Sequence, residues 1–124
     1  MFELEVSRVI SCAHYLRGYN GECCHLHGHN YRICVVVRAE KLDEIGISVD
    51  FKKLKAVADE LLLRYDHRCL NELPEFEQMN PTSENLARYL YGAFSERMND
   101  GNVRIHAVRI WESDVSCASY FEEA

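Results

Sequence analysis

The order of the hydrophobic patterns is the feature that most constrains how this chain can fold. Apolar residues occupy alternate positions near the N-terminus, at Phe2, Leu4, Val6 and Ile10. This alternation is typical of a half-buried strand, and residues 31–40 carry a second strand pattern. Two helical patterns follow, and strand patterns return at 103–113 and 118–123. The order ββααββ predicts an α+β fold, and the length predicts a single domain over residues 1–124.

Capping signals in the middle of the chain indicate where the two helices begin. Asp50 is a suitable N-cap for residues 51–65, whose apolar side chains recur with helical spacing. Thr82 or Ser83 follows a proline and is suited to cap a second helix. Between the first two strands, the glycines and asparagine within residues 15–26 predict a loop.

Charge and composition exclude several classes of function. The net charge of −6 argues against nucleic acid as a partner. No apolar run approaches the roughly 20 residues that span a bilayer, and acidic residues stand where a signal peptide carries basic ones. We therefore expect a cytoplasmic protein without membrane association. Without a secretory signal, the six cysteines are expected to be reduced thiols, most of them buried. They are Cys12, Cys23, Cys24, Cys34, Cys69 and Cys117.

Three histidines form the pattern that indicates specific chemistry. His27 and His29 are separated by one residue, so both point to the same face if they begin the second strand. His14 ends the first strand pattern, and a hairpin of the two strands would bring it beside them. Three imidazoles are a natural zinc site, and an open fourth position is the catalytic rather than the structural arrangement.

Other interpretations of the same stretch stay open. An isolated His-x-His pair is more often two exposed histidines beside a turn. The main rival is a closed structural zinc site made from Cys23, Cys24, His27 and His29. It needs two adjacent cysteines on one metal, and it leaves His14 unexplained. With an open histidine site, Cys23 or Cys24 would instead be a reactive thiolate that serves as base or nucleophile.

Carboxylates complete the set of candidate residues. Asp66 precedes His67 just after the first helix, and a carboxylate beside an imidazole can orient it and raise its basicity. Glu112 lies at the end of the third strand, where a carboxylate can accept the paired N–H donors of an amino-pyrimidine edge. Each also has a simpler interpretation, as a polar helix end and as a solvated strand end.

Taken together, these residues resemble one known family. The blocks that carry the resemblance are SCAH (11–14), CCHLHGHNY (23–31), GISVDFKKLK (46–55), YDHRCLN (65–71), NPTSENLARYL (80–90) and RIWES (109–113). In order and spacing they are similar to the 6-pyruvoyl-tetrahydropterin synthase/6-carboxytetrahydropterin synthase family over nearly the whole chain. The resemblance implies a tunnelling (T-fold) subunit, with a four-stranded antiparallel sheet and two helices on one face. It also implies a homohexamer, a dimer of trimers with active sites at subunit interfaces.

The resemblance assigns the histidines and one cysteine to metal binding and catalysis. His14, His27 and His29 match the ligands of the family's zinc ion. Cys23 matches the family's catalytic cysteine, because it lies four residues before the His-Gly-His block. The adjacent Cys24 matches no position with an assigned role, so a second thiol stands beside the expected base.

The resemblance also assigns the remaining polar residues. Asp66 and His67 match the family's acid–base pair. Glu112 matches the carboxylate that anchors the pterin ring. Thr82 and Ser83, at the head of the second helix, resemble positions that help to hold that ring.

The spacing further resembles one branch of the family. Three residues separate Cys23 from His-Gly-His, and Val-Asp-Phe stands at 49–51, as in bacterial 6-carboxytetrahydropterin synthases of the queuosine pathway. That branch converts 7,8-dihydroneopterin triphosphate to 6-carboxy-5,6,7,8-tetrahydropterin, releasing acetaldehyde and triphosphate. Three different functions stay open beside it: 6-pyruvoyl-tetrahydropterin synthesis, side-chain cleavage to 6-hydroxymethyl-dihydropterin, and a non-catalytic zinc-binding oligomerisation module.

Overall fold

The computed structural model describes residues 1–123, which form one five-stranded sheet and two α-helices. The strands are β1 (Phe2–His14), β2 (His27–Ala39), β3 (Arg68–Cys69), β4 (Val103–Ser113) and β5 (Ser116–Phe121). The helices are α1 (Phe51–Leu62) and α2 (Ser83–Met98), and 3₁₀ turns lie at Glu22–Cys24, Leu70–Glu72 and Pro74–Phe76. The strand order is β3-β1-β2-β4-β5. Neither α-helix of this part of the chain is long and apolar enough to cross a membrane.

The predicted α+β arrangement is confirmed. β1 pairs with β2, β2 with β4 and β4 with β5, and all three pairings are antiparallel. Both helices have the predicted type of N-cap. The Asp50 side chain accepts a hydrogen bond from the Lys52 N–H at 2.8 Å, and Thr82 accepts one from the Asn85 N–H at 3.1 Å. β2 begins at His27, four residues before the predicted strand start, so the His-x-His pair belongs to the strand.

Alternate residues of the strands form the core face, which packs against both helices. In β2 the residues that join the apolar cluster on this face are the odd-numbered ones from Tyr31 to Ala39. They share one apolar cluster with Leu54 of α1 and Phe94 of α2, both of which are fully buried. Full burial of side chains of this size contributes roughly 1.5–3 kcal/mol each. Because side chains alternate along a strand, the odd-numbered residues before Tyr31 also point to the helix side.

A short fifth strand is present that the sequence patterns did not indicate. β3 has two residues and pairs in parallel with Cys12 and Ala13 of β1. The chain enters β3 through His67, the one non-glycine residue of the described range with a positive φ, 61°. The His67 N–H donates to the Ser11 carbonyl at 2.6 Å, which fixes this turn against β1. The four long antiparallel strands of the predicted fold are retained.

The exposure of the cysteines differs from the prediction. Only Cys12 and Cys34 are buried, whereas Cys24 and Cys117 are exposed. The prediction that most cysteines are buried is therefore wrong. All six are free thiols within the described residues, as predicted.

Candidate metal centre and active site

The β1–β2 hairpin brings the three histidines together at the end of the sheet. In the strand register His14 lies opposite His27, and Cys12 lies opposite His29. All three imidazoles point to the helix side, and their ring centroids are 4.5–5.1 Å apart. Glu112 of β4 joins them, and one ligand atom from each of the four side chains lies within 4.8 Å of the others.

Main-chain carbonyl groups determine which nitrogen carries the proton in two of the rings. Nδ1 of His14 lies 2.7 Å from the carbonyl oxygen of Pro81, and Nδ1 of His27 lies 2.7 Å from that of His25. A carbonyl only accepts, so both Nδ1 atoms carry hydrogen and both Nε2 atoms of the neutral rings present lone pairs. These two Nε2 atoms face each other at 3.0 Å. Lone pairs this close repel unless a cation joins them, and nitrogens on one tetrahedral zinc lie about 3.4 Å apart.

His29 provides a third nitrogen that lacks a partner. Its Nε2 is buried without a well-aligned hydrogen bond, although Oε1 of Glu112 lies 3.0 Å away. A buried polar atom left unsatisfied costs about 1–3 kcal/mol. Burial also lowers the pKa of both His14 and His29, which favours the neutral imidazoles that metal ions bind. The donor set therefore fits a metal cation held by three imidazoles, with a carboxylate beside it.

The start of α2 holds Glu112 in position. Ser83 is buried, and its hydroxyl donates to Oε2 of Glu112 at 3.1 Å, while Oε1 faces His29. Thr82 uses its hydroxyl oxygen as the helix N-cap. The Glu112 side chain is 35% exposed, so its carboxylate remains accessible to N–H donors of a ligand at the rim of the cluster.

Tyr31 forms the floor of the cluster, although its place in the sequence indicated only a strand residue. It is fully buried, and its hydroxyl lies 3.2 and 3.3 Å from the two ring nitrogens of His14. Its ring packs edge-on against His29 with a centroid separation of 5.3 Å. Burial raises the pKa of the phenol, so this group stays neutral. The sequence signal that would have found Tyr31 is its shared parity with the clustered histidines in β2.

Cys23 is near the cluster in sequence but is not one of the clustered groups. It lies in the first 3₁₀ turn, is partly exposed, and accepts a hydrogen bond at its carbonyl oxygen from the Leu16 N–H at 2.9 Å. Cys24 is exposed. The one cluster of metal-ligating side chains within residues 1–123 contains no cysteine. The closed structural site that would use both cysteines is therefore not formed, and the role of Cys23 stays a prediction.

The thiol of Cys12 is buried in the core beside the histidine cluster and stays protonated. Cys12 is buried, and its Sγ donates to the carbonyl oxygen of Tyr65 at 3.2 Å. Burial, with a smaller effect of the Asp66 charge, raises the pKa of this thiol to about 12. Cys12 is thus a small packing residue rather than a rival to Cys23 as a base.

Asp66 and His67 form a pair that is separate from the cluster. Oδ1 of Asp66 accepts the Ser11 N–H at 2.9 Å and lies 3.1 Å from Nδ1 of His67. The bond from Ser11 is the main cause that lowers the pKa of Asp66. His67 has 81% of its side chain exposed and borders a surface groove with Ser11 and Asn30. Those two side chains alternate along their strands with the clustered histidines and therefore point to the opposite face of the sheet, while the groove also borders His29.

Comparison with known proteins identifies the family. The family model for 6-pyruvoyl tetrahydropterin synthase matches residues 3–123. The chain belongs to the 6-pyruvoyl tetrahydropterin synthase family. A relative in this family, the 6-carboxy-5,6,7,8-tetrahydropterin synthase of Synechocystis, is 36% identical over 114 residues, which cover 88% of this chain and 84% of the relative. The dihydroneopterin monophosphate aldolase of Pyrococcus furiosus is 37% identical over 92 residues, 72% of each chain.

Solved structures agree on the fold of this 6-pyruvoyl tetrahydropterin synthase family member. The 6-pyruvoyl tetrahydropterin synthase of Caenorhabditis elegans superposes with a TM-score of 0.87 at 27% identity. The superposition covers 98% of this chain and 96% of that one. The predicted T-fold subunit and the predicted family are both confirmed.

Proposed function

We propose that this chain is a zinc-dependent lyase that converts 7,8-dihydroneopterin triphosphate to 6-carboxy-5,6,7,8-tetrahydropterin, with release of acetaldehyde and triphosphate. The observation that carries the proposal is the facing pair of Nε2 atoms of His14 and His27, with His29 and Glu112 beside them. The branch is favoured by the similarity to the Synechocystis enzyme and by the three residues between Cys23 and His-Gly-His. The product would enter queuosine biosynthesis.

In this proposal His14, His27 and His29 hold the zinc ion as neutral imidazoles. The Pro81 and His25 carbonyls orient two of these rings, as partners of metal-binding histidines commonly do. Bound zinc supplies Lewis acidity toward the hydroxyl groups of a substrate side chain. Three uncharged ligands and one neighbouring carboxylate, that of Glu112, leave the site with a net positive charge, which suits an anionic substrate on a chain of net charge −6.

Glu112 anchors the pterin ring in this proposal. Its carboxylate accepts the N–H donors of the amino-pyrimidine edge, and Ser83 keeps one carboxylate oxygen oriented while this happens. Thr82 lies at the same helix start and contributes to the ring pocket. Fixing the ring at the rim of the cluster directs the substrate side chain toward the histidines, and such orientation is a large part of catalysis.

Proton transfer is assigned to Cys23 and to the Asp66–His67 pair. Cys23 takes a proton from the substrate side chain, and His67, oriented by Asp66 through its Nδ1, moves a proton at a second position. The pair lies outside the metal cluster, and His67 borders a groove with Ser11 and Asn30, whose side chains point away from the cluster. We therefore propose that it serves the site of a neighbouring subunit, as the family resemblance implies.

A homohexamer built from two trimers follows from the same resemblance, and the sheet edges support it. Along Phe2–Ser11, β1 pairs only with β2, and β5 pairs only with β4. Exposed edges of this length invite pairing with another strand. Closing three sheets edge to edge would cover both edges of every subunit. Light scattering after gel filtration should give six times the 14.4 kDa of one chain, and a monomer would contradict the proposal.

Side-chain cleavage to 6-hydroxymethyl-dihydropterin is the second candidate function. It is favoured by the 37% identity to the Pyrococcus furiosus dihydroneopterin monophosphate aldolase. That reaction needs no triphosphate elimination, so an enzyme that catalyses it would also act on a monophosphate substrate. The 6-pyruvoyl-tetrahydropterin synthase reaction and a non-catalytic zinc-binding oligomer are the two remaining candidates.

Product analysis separates these functions in one experiment. The zinc-loaded protein is incubated with dihydroneopterin triphosphate, and in parallel with the monophosphate, and the products are identified by mass spectrometry. Acetaldehyde with the carboxy product supports the proposal. Formation of hydroxymethyl-dihydropterin would show the cleavage reaction instead. A pyruvoyl product without acetaldehyde would show the pyruvoyl synthase reaction instead. Absence of turnover and of pterin binding would favour the non-catalytic module.

A further inference from the structure

The loop between β1 and β2 is held by side chains of the segment that precedes α2. Asn71 and Asn80 of that segment make these contacts together with Arg17 of the loop itself, and we call the three residues the asparagine clamp. We propose that the asparagine clamp positions Cys23 for the reaction, which makes Asn80 and Asn71 positioning residues. This inference rests on the proposed role of Cys23 as a base.

The Asn80 side chain both accepts a hydrogen bond from the main chain of the loop and donates one to it. Its Oδ1 accepts the Arg17 N–H at 2.9 Å, and its Nδ2 donates to the Arg17 carbonyl at 2.8 Å. The Arg17 side chain also binds Asn80, because its Nε donates to the same Oδ1 at 3.2 Å. The guanidinium also donates to the carbonyl oxygens of Phe76 and Met79, at 2.6 and 2.8 Å. Arg17 is therefore used for holding the loop rather than for binding an anion.

Asn71 repeats the arrangement two residues earlier in the loop. Its Oδ1 accepts the Tyr15 N–H at 2.9 Å, and its Nδ2 donates to the Tyr15 carbonyl at 3.0 Å. Asn71 is buried, so loss of these bonds would leave its amide without water as a replacement. Together the two asparagines fix the residues on both sides of Leu16.

Leu16 links the asparagine clamp to Cys23. The Leu16 N–H donates to the Cys23 carbonyl oxygen at 2.9 Å, which ties the 3₁₀ turn to the fixed part of the loop. Within the turn, the Cys24 N–H donates to the Gly21 carbonyl oxygen at 3.2 Å. On the other side, the His25 carbonyl accepts from His27 of the metal cluster at 2.7 Å. The main chain of Cys23 is thus held between the asparagine clamp and the candidate metal centre.

One short segment, residues 71–83, therefore sets the relative positions of three functional groups. Pro81 orients the ring of His14, Ser83 orients Glu112, and Asn80 reaches Cys23 through the loop. A base must lie within hydrogen-bond reach of the proton that it removes. Since a displacement of about 1 Å can lower a rate about 100-fold, the asparagine clamp is expected to affect turnover more than substrate binding.

The test compares Asn80→Ala with a matched control at the opposite end of the sheet. Asn102 also makes three hydrogen bonds to one loop, accepting from the Glu40 and Lys41 N–H groups and donating to the Lys41 carbonyl. In the zinc-loaded protein, Asn80→Ala is expected to lower kcat about 10- to 100-fold, with KM and zinc content changed less than about twofold. Asn102→Ala is expected to keep the wild-type kcat.

A second measurement needs no substrate and stays valid if the proposed reaction is wrong. The rate of iodoacetamide alkylation is followed for each thiol by peptide mass spectrometry, with the exposed Cys117 as the internal reference. Asn80→Ala should change the rate at Cys23 several-fold and leave the rate at Cys117 unchanged. An unchanged rate at Cys23, or an equal change in Asn102→Ala, would overturn the proposal. If Asn80→Ala does not fold, Asn80→Asp, which keeps the acceptor oxygen and loses the donor, replaces it.

Discussion

The ion pair between Arg64 and Glu75 gives a quantitative prediction about acid unfolding. Glu75 accepts two hydrogen bonds from the Arg64 guanidinium and a third from the Tyr65 hydroxyl at 2.9 Å. Only 5% of the Glu75 side chain is exposed. The hydrogen bonds from Arg64 lower the pKa of Glu75 from 4.5 to about 2. This ion pair fastens the third 3₁₀ turn, Pro74–Phe76, to the chain just before Asp66.

The substitution Glu75→Gln removes the charge and keeps the size of the side chain. A pKa shift of this size corresponds to about 3 kcal/mol of stability at neutral pH. Because 48% of the Arg64 side chain is exposed, solvent screening reduces the expected loss to about 2 kcal/mol. The pKa of Glu75 is lower in the folded than in the unfolded state. The stabilisation is therefore fully present above pH 4.5 and is lost as the pH falls toward 2.

Urea unfolding of wild type and Glu75→Gln at equal protein concentration measures this difference. The free energies of unfolding should differ by about 2 kcal/mol at neutral pH and should converge near pH 2. Glu77→Gln, at an exposed position two residues away, is the matched control and should follow wild type. A gap between wild type and Glu75→Gln that is equally large at every pH would refute the ion-pair explanation. A gap absent at neutral pH would refute it as well.

Four substitutions test the candidate site. Cys23→Ala is expected to abolish turnover while zinc stays bound. If this variant is active and Cys24→Ala is inactive, the spacing argument has selected the wrong thiol. His27→Ala should lose the metal, as measured by atomic absorption after gel filtration, and a fully loaded variant would contradict the three-histidine site. Glu112→Gln should weaken pterin binding about tenfold or more in calorimetry with unchanged zinc content, because a charged hydrogen bond is lost. Loss of zinc in that variant would instead make Glu112 a metal ligand.

The parts of the structure that could be predicted are those with repeating or local signals. β1 alternates apolar and polar side chains and β2 contains a continuous apolar run, while Asp50 and Thr82 are caps that need only their own helix. The histidine cluster could also be predicted from the sequence. Once β1 and β2 form a hairpin, strand parity and register place His14 and His27 side by side.

The parts that could not be predicted depend on single contacts between distant segments. Asn80 and Arg17 are 63 residues apart, and Ser83 and Glu112 are 29 apart. No periodic pattern signals that one polar side chain will bind another at such distances. The two-residue β3 has too few residues to show alternation. The prediction of cysteine burial was wrong because Cys24 lies in an exposed turn and Cys117 lies in the edge strand β5.

The carbonyl groups that orient His14 and His27 have a consequence for the evolution of the site. They belong to Pro81 and His25, and the side chains of those two residues take no part in the contacts. The His25 side chain is exposed, and any residue at that position presents the same carbonyl oxygen. The side chain at position 25 can therefore change by mutation without loss of this contact. The surface beside the site can change in this way while the His27 ring keeps its orientation.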